Sequence, residues 1–196
     1  AGSGKAARLE SMNVIVKFAA GNLFTGKFIK VDGTNGILNF GQPFTGRPTK
    51  LKGYYKYTTA PITDLPAEGS QDYTRFQNYK GKPDTCAIYI ALGDWVGETA
   101  NGETWPVIVK TNFKDGNSAK LFNPNDIHII AYGEKTWDEA TAGDGMVEFE
   151  IPIEYRNMDT KPTSIVLVAS SSKYGDYFTG GVDSTMWLDD LKLVYE

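Results

Sequence analysis

The aromatic residues at strand ends and in loops are the side chains of this sequence best placed to do chemistry. A pyranose ring presents an apolar C–H face, for which a flat aromatic ring is a natural partner. Planar amides and carboxylates can then bridge its hydroxyls. Trp95 follows Leu92-Gly93-Asp94 where a strand runs out, Trp105-Pro106 opens the next strand, and Trp137 lies in a polar stretch. Tyr54 shares strand parity with Lys50, Lys52 and Lys56 and so faces water. Tyr177 sits in the glycine-rich stretch Gly175-Asp176-Tyr177-Phe178-Thr179-Gly180-Gly181. With the amide of Asn112, the candidate carbohydrate-binding residues are Trp95, Trp105, Trp137, Tyr54, Asn112 and Tyr177. Asp94, Arg75 and Asn78 are further polar partners. Each has a plainer reading as well. An indole at a strand end caps a core, a strand tyrosine is a good β-former, and a glycine-rich loop is a shaped turn. Trp187 shares parity with Leu191 and Leu193 and is expected in the core.

Catalysis asks for more. A glycosidase needs two carboxyl groups facing each other across a cleft. Glu134, Asp138 and Glu139 cluster near Trp137 and are the first suspects, whereas Glu148 and Glu150 read as the wet face of a strand. The chain has no nucleophile elbow, phosphate loop or dinucleotide fingerprint. A single histidine, His128, excludes a histidine-rich zinc site and disfavours a histidine-based triad. The single cysteine, Cys86, reads as a small buried hydrophobe. Asp189 falls on the apolar parity of the last strand. An inward carboxylate needs hydrogen bonds or a cation, so Asp189 is a candidate ligand for a structural calcium, with a hydrogen-bonded aspartate as the alternative. No other cofactor is expected.

These residues must be held by strands. Leu51, Gly53, Tyr55 and Tyr57 alternate with lysines, and Phe149, Ile151 and Ile153 alternate with glutamates. Ile88, Ile90 and Leu92 mark another strand, and Ile127, Ile129 and Ala131 a further one. Residues 165–169 are apolar on both parities, as in a strand covered on both sides. Strands are also expected near residues 7–16 and 185–195. Thr136 to Ala140 could form one helical turn, and the segment from Pro61 to Pro83 reads as a long loop or loop-plus-hairpin. Turn signals stand between the strands, as at Asp32-Gly33-Thr34-Asn35-Gly36 and Gly143-Asp144-Gly145. This pattern predicts one all-β domain over residues 1–196, a jelly-roll β-sandwich of two antiparallel sheets.

Composition narrows the partners. The net charge is −4 and the basic residues are dispersed, so nucleic acid is not expected. No apolar run is long enough to span a membrane. The small, polar start leaves little room for a strand that pairs with the C-terminal one. An upstream strand or domain in the same polypeptide is therefore expected.

Several stretches carry a family resemblance. They are Gly4-Lys5-Ala6-Ala7-Arg8-Leu9, the run from Phe44 to Tyr57, the run from Ser170 to Gly181, then Ser184-Thr185 and Trp187-Leu188-Asp189-Asp190-Leu191. Together they resemble the family described as "putative carbohydrate metabolism domain", found in surface lipoproteins of gut Bacteroides-type bacteria. The resemblance implies a galactose-binding or carbohydrate-binding-module-like fold, a glycan or polysaccharide partner, and a secreted or outer-membrane location. It carries over no catalytic residue set. A non-catalytic glycan-recognition module is the leading expectation. A glycoside hydrolase or lyase with an acidic pair, and a structural or adhesion domain, are the alternatives. Asp183 stands where the pattern Gly-Gly-x-Gly-Ser would have a glycine, so a less tight turn is expected there.

Overall fold

The computed structural model describes residues 4–14, 17–32, 35–70, 72–100, 102–111 and 120–195. The fold is the all-β jelly-roll sandwich of antiparallel sheets expected from the sequence, with a three-stranded sheet and two two-stranded ribbons, Met12–Val14 with Lys17–Ala19 and Glu98–Ala100 with Glu103–Trp105, added among the described residues. The back sheet runs in the order Ala7–Glu10, Thr185–Val194, Lys50–Thr58, Val147–Pro152. The central sheet runs Glu154–Tyr155, Ile129–Trp137, Cys86–Gly93, Ser164–Ser170, Asn22–Phe24, with Gln42–Pro43 also paired to Ser164–Ser170. A cover sheet of Val107–Lys110, Asn35–Phe40 and Gly26–Asp32 lies on the far side.

Strand parity explains the layers. In Cys86–Gly93, Cys86, Ile88, Ile90 and Leu92 point at the back sheet and pack with Leu51, Tyr55, Tyr57, Phe149, Ile151, Met186 and Leu188. The other parity points at the cover sheet. There Ala91, Val166 and Val168 meet Phe40 and Val109. The central sheet is thus buried on both faces, as residues 165–169 predict. The Cys86 thiol is fully buried, and burial raises its pKa.

Several local expectations are corrected. The strand Ala7–Glu10 does pair with the last strand, Leu9 opposite Met186. The last strand carries a bulge between Asp189 and Lys192. Before the bulge Met186 and Leu188 point inward; after it Leu191 and Leu193 do. The one extra residue reverses parity. Trp187 and Asp189 therefore lie on the outer face, opposite Lys56 and Tyr54. Trp187 sits between two cations, with Arg8 at 6.0 Å and Lys56 at 5.8 Å from its ring. The Asp189 carboxylate accepts the Asp190 N–H at 2.9 Å. Among the described residues no group of three or more His, Cys, Asp or Glu gathers to hold a metal. Ile127 is 92% exposed and the strand begins at Ile129, because Asn123 to Ile129 is folded by turn bonds such as Ile129 N–H to Asp126 O. Thr136 and Trp137 remain in that strand rather than forming a helical turn. The short helix lies instead at Tyr73–Phe76, inside the long loop. A bridge between Pro61 and Pro83 closes that loop at its base.

One polar knot ties the layers together. Asp84 is fully buried. Its carboxylate accepts the Gly181 N–H at 2.8 Å, the Thr85 N–H at 2.8 Å and the Ser172 hydroxyl. Ser172 continues to Ser11 at 2.6 Å, and Ser11 to Ser171 at 2.8 Å. Burial raises the Asp84 pKa, and the hydrogen bonds from Gly181, Ser172 and Thr85 pull it back. The knot closes with the turn at Asp183, whose N–H reaches Ser11 O. Asp183 has φ +74°, so it adopts the glycine-type backbone. Aspartate tolerates this left-handed backbone better than most side chains.

Two outcomes follow from this packing. Asp84→Ala leaves three buried donors without an acceptor and lowers stability by about 3 kcal/mol or more, measured by urea unfolding. At position 183, Val lowers stability by about 1–2 kcal/mol because a β-branched residue resists positive φ, whereas Gly does not. Equal melting temperatures for Asp183→Val and Asp183→Gly would remove the backbone argument.

Candidate functional site

Among the described residues, the cover sheet leaves one end of the central sheet uncovered. Ala87 and Tyr89, Tyr132 and Glu134, Val168 and Ser170, and Asn22 and Phe24 come from four adjacent strands and line a cleft there of about 330 Å³. Leu38, Phe40 and Phe122 form one side; Arg75, Lys173, Tyr174, Asp176 and Tyr177 form the other. The second side is the glycine-rich loop that Asp84 anchors, together with the helix of the long loop.

The aromatic rings are ordered by contacts with each other. Tyr89 stacks on Phe122 with centroids 5.0 Å apart and 20° between planes, and Tyr132 lies 6.3 Å from Tyr89. Across the cleft, Phe76 packs against Tyr177 at 5.0 Å and Tyr174 at 5.1 Å. The Arg75 guanidinium lies over both Phe76 and Tyr177 at 4.9 Å and donates to the Tyr177 hydroxyl at 3.2 Å.

Polar groups converge beside these rings. Glu134 pairs with Lys173 at 2.7 Å and accepts the Tyr132 hydroxyl at 3.1 Å. Asp176 is partly exposed on the cleft wall, but the protein packed around its carboxyl pushes its pKa up to about 6. Burial raises the Tyr89 pKa well above the usual phenol value, and the charges of Asp176 and Glu134 add to it. Both acids are therefore felt at one phenol. Burial likewise pushes Tyr174 up to about 12. Flat apolar faces next to hydrogen-bonding acids, a cation and phenols suit a polyhydroxylated ring.

The expected residues divide between several places. Tyr177 and its partner Arg75 are in this cleft, as is Glu134 from the acidic group. Trp95 and Trp105 share a different groove at the other end of the central sheet. Trp137 lines neither. Its ring stacks on Tyr55 at 4.2 Å and packs on Phe149 at the edge of the main core. Tyr54 lies half-buried on the outer face of the back sheet. Asn112 lies outside the described residues. Sequence reasoning missed Tyr89, Phe122, Tyr132 and Asp176. A signal for Tyr89 was present. It stands on the parity opposite the isoleucines, between Ala87 and Ala91, so a large ring flanked by small residues marks a face with room above it.

Comparisons with known proteins extend this picture. The family model described as "Putative carbohydrate metabolism domain" matches residues 1–194. A crystal structure from Bacteroides thetaiotaomicron, described as a putative glycoside hydrolase, superimposes with a TM-score of 0.64 at 24% identity. The match covers 99% of this chain and 54% of the other, so the chain spans about half the length of that protein. A second structure, from Bacteroides vulgatus and described in the same words, gives a TM-score of 0.64 at 23% identity, covering 100% of this chain and 75% of the other. At these identities the two structures show a shared fold. No curated protein matches the chain. The family match runs through the strands of the back, central and cover sheets and the anchored loop beside the cleft, and by it this chain belongs to the putative carbohydrate metabolism domain family.

Proposed function

We propose that this domain is a glycan-recognition module that binds sugar rings in the tyrosine-lined cleft without cleaving them, at the surface of the cell or outside it. The observation that carries this reading is the convergence of Tyr89, Phe122, Tyr132 and Tyr177 on one cleft with Glu134, Asp176 and Lys173 at its walls. Family membership supplies the ligand class. Among the described residues no helix is long and apolar enough to cross a membrane.

The engagement of Glu134 supports the non-catalytic reading. Lys173 and the Tyr132 hydroxyl occupy both of its oxygens, which holds it as a fixed acceptor for sugar hydroxyls. Asp176 is the less committed acid. A pair of acids in one cleft, one with its pKa near 6, is also what a hydrolase would present, and this observation favours a second reading as a glycosidase.

Affinity gels containing xylan, mannan, β-glucan or pectin test the first reading. The domain is expected to be retarded by at least one of them. Tyr89→Ala is expected to weaken binding about tenfold or more, the scale of losing one well-buried aromatic contact. Tyr177→Ala, on the other side of the cleft, guards against a folding artefact. No retardation by any polymer would overturn the reading. Release of reducing ends that stops in both Glu134→Gln and Asp176→Asn would replace it with the hydrolase.

The pH dependence has a definite sign. The folded-state pKa of Asp176 lies above the ordinary carboxylate value, so the folded protein binds this proton more tightly than the unfolded chain. Stability from this group is fullest below the unfolded value and is lost as pH rises through about 6. Asp176→Asn is expected to be more stable than the parent at pH 7 and to lose that part of the pH profile, as read from melting temperatures between pH 4 and 7.5.

A further inference from the structure

A second groove lies at the opposite end of the central sheet. It encloses about 480 Å³ and is lined by Trp95, Val96, Gln42, Glu103, Trp105 and Ser164 among others. From Tyr89 to Gly93, where this groove begins, is four strand residues, or about 13 Å. The residues of Phe40 to Gly41 pass between the two clefts, Phe40 lining the first and Gly41 the second.

Both indoles in this groove are held in place by their surroundings. The ring of Trp95 lies flat on the backbone of Gly93, where a Cβ would fall 2.4–2.6 Å from three of its ring atoms. Only glycine at 93 allows the ring to lie there. The indole N–H of Trp105 donates to Glu103 at 3.1 Å, and Glu103 is held by Lys27 at 3.0 Å. The polar edge of Trp105 is thereby satisfied within the protein, and both rings keep partial exposure. Val96 beside them is 89% exposed. A large apolar residue in water at the rim of a two-indole groove is unneeded for folding. Gln42 and Ser164 add an amide and a hydroxyl to the lining.

We propose that this groove is a second glycan-binding site, taking a pyranose ring of a polysaccharide chain against Trp95 and Trp105 independently of the tyrosine cleft. The proposal rests on the carbohydrate reading above for its ligand class. It goes beyond that reading in giving one domain two sites. Flat indoles select ring faces by shape, and the one acid among the groove's described lining residues is already paired with Lys27, so its ligand is a neutral sugar. Two sites on one domain convert the second contact with a long polymer into an intramolecular event and raise the apparent affinity.

The test uses calorimetry with the disaccharide of whichever polymer retards the domain most in the gels, too short to bridge the two sites. The parent is expected to bind two molecules per chain. Trp105→Ala and Tyr89→Ala are each expected to bind one, and the double variant none. Trp105→Phe, which keeps a flat ring, is expected to retain the second site. For the intact polymer, either single alanine variant is expected to lose about tenfold or more in apparent affinity. A parent that binds one molecule, lost in Tyr89→Ala and kept in Trp105→Ala, overturns the second site and leaves the cleft reading intact. The reverse pattern overturns the cleft and leaves the groove. Melting temperatures within a few degrees of the parent exclude unfolding as the cause.

Discussion

The buried carboxylate of Asp84 is the constraint on which the cleft depends. Removing a charged group from water is costly unless donors surround it. Here the donors are Thr85, next in sequence, and Ser172 and Gly181, far along the chain. Satisfying that one group therefore brings both ends of the glycine-rich loop to the same point. The loop between Ser172 and Gly181 then has little choice of path, and it presents Tyr174, Asp176 and Tyr177 as one wall of the cleft. Ser11 joins the same network, so the first strand is fastened to this loop as well.

The second determinant is how much of the central sheet is covered. Its inner face is sealed by the back sheet along its length. Among the described residues its outer face is covered by three strands, and a sheet face that remains partly open must carry residues that tolerate both protein and water. Tyrosine does so, because its ring packs while its hydroxyl reaches solvent or a polar partner. The clefts at either end of the cover sheet are consequences of that incomplete layer. One is furnished with tyrosines and acids and the other with tryptophans.

The fold was legible because strand periodicity is local. Leu51, Gly53, Tyr55 and Tyr57 are all buried, and the lysines between them are not. Residues 165–169 announced a strand covered on both sides. Parity failed where the chain inserts residues. The bulge after Asp189 turned Trp187 and Asp189 outward, and nothing in the apolar pattern of Leu191 and Leu193 encodes that reversal. The site was legible only in part, for a similar reason. Tyr177 and Glu134 were singled out one at a time, but their meeting depends on pairings between residues far apart in sequence, such as Lys173 with Glu134. Trp95 and Trp105 were recognised as residues at strand ends, which is where they lie. Trp137 has the same sequence signature but stacks on Tyr55, because the strand continues through it.

The distribution of indoles also has an optical consequence. The tyrosine cleft contains no tryptophan among its lining residues, whereas the groove at the other end contains two. Trp137 is packed at the core edge, and Trp187 is flanked by Arg8 and Lys56 on the far surface. Ultraviolet emission from this domain is therefore a report with an address. Ligand entering the groove perturbs two of its fluorophores directly, while ligand entering the cleft leaves all four in their original surroundings and would pass unseen at those wavelengths.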